Sequence, residues 1–209
     1  MIVKQLLLLI LGLFSIAESM GTTFQDPVKI ACVGNSITYG SGVANREKNA
    51  YPEQLQSMLG NTFQVRNFGV SGSTLLKNGD KPYLETEAYS NALKFKPDIV
   101  FIKLGTNDSK LSNRVHLDNF EGDYIDLVNS FKKENGNARI ILLLPVPAFT
   151  TDTTRIWNEV IKNKITPMTR RVAYKTNSEV LDLCQLFIDQ PGLLPDKIHP
   201  SSLGATVIA

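Results

Sequence analysis

Apolar residues recur along the chain in two alternating patterns. Short near-continuous apolar runs read as buried strands: 28–33 (VKIACV), 63–68, 98–104 (DIVFIKL), 139–144 (RIILLL) and the shorter 178–183. Between them lie stretches with helical spacing. Residues 52–59 place Pro52 in a first turn and Leu55, Met58 and Leu59 on one face. Residues 83–95 end before Pro97. Residues 117–133 repeat Phe120, Tyr124, Leu127, Val128 and Phe131, residues 154–174 predict one long helix, and residues 201–209 predict a last one. Strand alternating with helix predicts an α/β protein with a parallel sheet covered on both faces. Ligands of such sheets bind beyond the carboxyl ends of the strands, so polar residues just after strands are the ones that matter.

The first residues do not fit this pattern. Lys4 precedes an apolar run over 6–11. Gly12 interrupts it, Leu13, Phe14 and Ile16 continue it, and Ala17-Glu18-Ser19 follows with small residues where a signal peptidase reads. The segment predicts a secretory signal peptide over 1–19, with a single domain over 20–209 and a secreted or periplasmic protein. The run is shorter than the ~20 residues a membrane crossing needs. No stable membrane anchor is expected.

Composition narrows the classes. The 209 residues, 43% hydrophobic and 20% charged, suffice for one full core. With 22 Lys plus Arg against 20 Asp plus Glu, the net charge of +2 offers no nucleic-acid surface. Two Cys and two His leave no metal site and no disulfide scaffold. Cys32 lies in the first strand and Cys184 just past the fifth. In a sheet ordered 2-1-3-4-5 two strands at about 4.8 Å each separate them, beyond the ~7 Å Cα spacing a disulfide allows. Two free buried thiols are expected.

Four strand ends carry unusual polar groups: Gly34-Asn35-Ser36-Ile37-Thr38, Asn67-Phe68-Gly69-Val70-Ser71-Gly72, Gly105-Thr106-Asn107-Asp108, and Asp196-Lys197-Ile198-His199-Pro200. Their chemistry is complementary. The Ser36 hydroxyl is a weak nucleophile without a base. His199 supplies one, and Asp196, three residues earlier, orients the ring. The Asn107 side chain and the Gly69 backbone N–H are donors suited to an oxyanion. Gly72 reads as a turn glycine, Asp108 as a brace of its own loop, and His116 as a helix cap or solvent-facing residue. No Gly-x-Ser-x-Gly pentapeptide occurs, and neither glycine-rich stretch completes a phosphate-binding motif.

These four blocks, in this order, resemble the SGNH or GDSL-type hydrolases over nearly all of residues 28–209. The resemblance implies a flavodoxin-like three-layer α/β/α fold with a five-stranded parallel sheet, and ester hydrolysis through an acyl-enzyme without a cofactor. It implies Ser36 as nucleophile, His199 as base and Asp196 as its carboxylate, with Ser36, Gly69 and Asn107 forming the oxyanion hole. Two features depart from the pattern: Asn35 replaces the usual Asp, and the last helix stops at Ala209, where relatives commonly run on. The stretch Pro145-Val146-Pro147-Ala148-Phe149 resembles the family's carbohydrate acetylesterases, so an O-acetylated glycan is the expected substrate. A lysophospholipase or thioesterase would need an apolar trough, toward which Leu75, Leu76, Tyr83 and Leu84 are available. A non-catalytic glycan-binding module is the remaining alternative. Oligomeric state is not legible.

Overall fold

A computed structural model describes residues 26–209. The expected signal segment, 1–19, lies outside them. Five parallel strands form one sheet in the order β2-β1-β3-β4-β5: β1 (Val28–Gly34), β2 (Phe63–Gly69), β3 (Ile99–Lys103), β4 (Arg139–Leu144) and β5 (Glu179–Asp182). Successive side chains of a strand point to opposite faces. In β1, Ala31 and Val33 therefore join one apolar cluster, while Ile30 and Cys32 join another.

Helices cover both faces, giving the expected three layers. On one side lie α3 (Glu87–Lys94), α4 (Phe120–Glu134) and α5 (Thr166–Thr176). Phe120, Tyr124, Leu127, Val128 and Phe131 of α4 are all buried against the sheet, as their spacing predicts. On the other side lie α1 (Ser36–Tyr39), α2 (Tyr51–Leu59), α6 (Leu183–Phe187) and α7 (Ser202–Ile208). Met58 does not share the buried face of α2 with Leu55 and Leu59; it is 57% exposed.

The expected long helix over 154–174 begins later and is interrupted. Asn158–Val160 is α-helical, Ile161–Ile165 is a π-turn, and α5 follows. Pro167 explains the interruption. It has no N–H to give to the preceding turn, and its ring crowds the carbonyl four residues back, so the chain widens there. Both thiols are free, as expected, but only Cys32 is buried; Cys184, in α6, is half-buried. Among the described residues no helix is long and apolar enough to cross a membrane.

Candidate active site

The first strand leads straight into Ser36. A Cβ at Gly34 would lie 2.1 Å from Thr38 Oγ1, so only glycine permits the sharp passage from β1 to α1. Asn35 caps α1, its Oδ1 accepting the Ile37 N–H at 3.2 Å. The Asp-to-Asn departure thus keeps the one acceptor the cap needs. Its cost is a buried Asn35 Nδ2 with no partner. Ser36 is the first residue of α1, and among the described residues its own N–H has no acceptor.

On the opposite wall, the segment between Leu194 and Ser201 folds around a single carboxylate. Asp196 Oδ1 accepts the backbone N–H of Ile198 at 3.0 Å and of His199 at 2.6 Å. Asp196 Oδ2 meets His199 Nδ1 at 2.6 Å, and His199 Nε2 lies 2.9 Å from Ser36 Oγ. Partial burial of the Asp196 carboxyl opposes its ionisation. The N–H bonds from His199 and Ile198 and the facing imidazole outweigh this and hold its pKa below the ordinary carboxylate value. An ionised Asp196 fixes the proton on Nδ1 and leaves Nε2 as the acceptor facing Ser36.

Asn107 opens the turn after β3. Its Nδ2 donates to the Ser73 carbonyl at 2.9 Å, which leaves the second amide hydrogen for a ligand. Asp108 points away from the cleft. It braces the neighbouring loop rather than its own: its carboxylate accepts the N–H of Leu76 at 2.8 Å and of Leu75 at 3.1 Å. Burial pushes its pKa up to about 6 against the pull of those two bonds. His116 is half-buried beside the turn Leu117–Asn119 and donates no side-chain cap.

Ser36, Asn107 and His199 line one cleft of about 290 Å³ together with Ser71 and Gly72. Gly69 is not brought to it. The β1–β2 ladder runs one residue further than the apolar pattern suggests, pairing Gly34 with Gly69. Gly69 thus stays in the strand, and its N–H is spent on Asn67 Oδ1 at 2.9 Å. Its lack of a side chain serves packing, since a Cβ would lie 2.2 Å from Tyr39 N. Gly72, read from sequence as a mere turn glycine, lines the cleft instead. It has φ +83°, and among the described residues its N–H has no acceptor.

The other walls come from Ser112 in the short helix Leu111–Arg114, from its N-cap Lys110, and from the loop carrying Thr154, Arg155 and Ile156, segments whose sequence carries no motif. Among the described residues, Ile156 and Ile198 are the large apolar side chains that line the cleft. Leu75, Leu76 and Tyr83, expected as part of a trough, are wholly buried in the core. Among the described residues no cluster of His, Cys, Asp and Glu is arranged to hold a metal ion.

An acetylxylan esterase of Xylanibacter ruminicola is 37% identical over 213 aligned positions, covering 92% of this chain. The chain spans only 44% of that protein's length. A carbohydrate acetylesterase family member from Sinorhizobium meliloti superposes with a TM-score of 0.68 at 18% identity, over 86% of this chain and 92% of that one. An acetylxylan esterase from Geobacillus stearothermophilus, in a catalytic mutant, gives a TM-score of 0.64 at 24% identity, over 87% and 90%. Residues 32–207 match the GDSL-like lipase/acylhydrolase family, and the chain belongs to it.

Proposed function

We propose that this protein is a serine esterase that removes O-acyl groups, chiefly O-acetyl, from carbohydrates through an acyl-enzyme. The observation that carries this reading is the hydrogen-bonded line Ser36–His199–Asp196 at the mouth of a small cleft. In the resting state Ser36 O–H donates to His199 Nε2. As Oγ attacks the ester carbonyl, that proton passes to the ring, and Asp196 stabilises the imidazolium. The carbonyl oxygen becomes an oxyanion held by Ser36 N–H, Gly72 N–H and Asn107 Nδ2. The tetrahedral adduct collapses. His199 hands its proton to the departing sugar oxygen, and Ser36 keeps the acyl group. Water then gives a proton to His199 as it attacks the acyl-enzyme. A second collapse returns the proton to Ser36 and frees the carboxylic acid.

The cleft supports a short acyl group. With Leu75, Leu76 and Tyr83 committed to the core, no apolar trough of their making leads away from Ser36. The acetylxylan esterase relative points to an acetylated plant polysaccharide. Residues 1–19 support export, so the substrate would be met outside the cytoplasm; the mass of the mature N-terminus tests that. For the activity, the test is hydrolysis of acetylated xylooligosaccharides beside p-nitrophenyl palmitate, with Ser36→Ala as control. Release of acetate by the wild type alone is expected. A preference for the palmitate would replace the acetyl reading with a long-chain one, and equal rates for wild type and Ser36→Ala would leave a glycan-binding module.

A further inference from the structure

Strand β3 ends on Lys103, a side chain with no solvent exposure and one of the largest wholly buried in the molecule. It stands beside Gly34 in the ladder, and its carbonyl receives the Asn35 N–H at 3.4 Å, directly below the nucleophile's turn. Among the described residues no carboxylate is paired with its amine. Burial alone brings its pKa down to about 7. Among the described residues its Nζ makes one hydrogen bond, donating to Thr106 Oγ1 at 3.0 Å.

An amine buried with a single hydroxyl partner costs stability, and a methionine of similar length would sit there more cheaply. The position of the partner suggests what offsets that cost. Thr106 immediately precedes Asn107. Its carbonyl accepts the Ser109 hydroxyl at 2.7 Å and the Ser109 N–H at 3.3 Å. The preceding Gly105 is at φ +104°. The turn is therefore tied on its far side by Ser109 and underneath by Lys103, while the Asn107 amide reaches across to Ser73.

We propose that Lys103 is a positioning residue of the oxyanion hole: by holding Thr106 from beneath, it fixes the turn that presents the Asn107 amide to the developing charge. This rests on the esterase reading above. Lys103 touches no substrate. Its effect passes wholly through Asn107, and that gives it a signature no general structural role shares.

The test is a double-mutant cycle on p-nitrophenyl acetate, with melting temperature measured for every variant. Lys103→Met should lower kcat about tenfold, as a slightly misplaced donor does, with KM within about twofold and melting temperature equal or raised. In the Asn107→Ala background the same substitution should change kcat by less than about twofold. Thr106→Val, which keeps the shape and removes the acceptor, should reproduce the loss and its disappearance. It also carries the test should Lys103→Met fail to fold. Equal losses in both backgrounds, no loss in kcat, or a loss that follows a fall in melting temperature would each overturn the proposal. Turnover by the wild type separates these results from failure of the esterase reading, in which the wild type itself is inactive and the positioning role falls with it.

Discussion

The side-chain amide of Asn107 donates to the carbonyl of Ser73 at 2.9 Å, joining the loop after β3 to the loop after β2. One amide hydrogen is spent on holding the geometry, which leaves the other for a ligand in the cleft that Asn107 lines. Replacing Asn107 by Ala should therefore cost about 10²–10³ in kcat, the usual loss for one oxyanion donor. Steady-state kinetics on an acetyl ester read this directly. A change of only a few-fold would make Asn107 a loop brace and nothing more.

The two glycines after β2 should part company on mutation. At Gly69 an added methyl meets Tyr39 N at 2.2 Å, backbone against backbone, which neither side can relieve cheaply. Gly69→Ala should lose about 1–3 kcal/mol of stability by overpacking. At Gly72 the methyl finds space, its nearest neighbour being Lys81 Cδ at 3.7 Å, and the strain comes from φ +83°. Gly72→Ala should lower kcat by a larger factor than Gly69→Ala while melting closer to the wild type. The opposite ranking would return the oxyanion role to Gly69.

Asp108 predicts a stability effect without a chemical one. Its buried carboxylate is the acceptor for the N–H groups of Leu75 and Leu76. Removing it strands two buried donors at about 1–3 kcal/mol each. Asp108→Ala should shift the urea midpoint strongly downward. A variant that retains the midpoint would mean that those N–H groups have found other partners.

Lys103 makes stability depend on pH in a definite direction. Its folded pKa is about 7, against about 10.4 in an unfolded chain. Between these values the unfolded state binds the extra proton, so its contribution to stability rises with pH and is lost as pH falls toward 7. The buried Cys32 thiol works the other way once an unfolded thiol ionises, above about pH 8.5. Denaturation midpoints of the wild type should thus climb from pH 7 to about 8.5, and those of Lys103→Met should stay flatter over the same interval. Parallel curves would contradict this assignment.

Sequence disclosed much of this molecule where one local rule decides the outcome. β1, β3 and β4 are largely apolar runs too short to be helices, whereas the edge strands depart from that rule, β2 mixing Gln64, Arg66 and Asn67 with its apolar residues and β5 (EVLD) lying mostly exposed; α4 announces its buried face by spacing alone. Ser36, Asn107, Asp196 and His199 were legible because each stands in a short polar block just past a strand or, for the last pair, within three positions of one another. Gly69 was misread because the ladder continues one residue beyond the apolar run, and hydrogen-bond register leaves no mark in composition. Leu75 and Leu76 look available to line a trough, but the Asp108 carboxylate, 33 and 32 positions away, draws their backbone inward. Arg155 and Thr154 owe their place in the cleft to a loop that tertiary contacts direct, as Leu111 N–H on the Thr154 carbonyl at 3.0 Å illustrates. Such contacts link segments that no single stretch of sequence brings together.

A fluorophosphonate probe tests most directly whether Ser36 is an activated hydroxyl. Intact mass and peptide mapping after brief exposure should give one adduct per chain, on Ser36, and His199→Ala should slow its formation by orders of magnitude. A folded wild-type protein that stays unlabelled, or one labelled elsewhere with Ser36 untouched, would contradict the account.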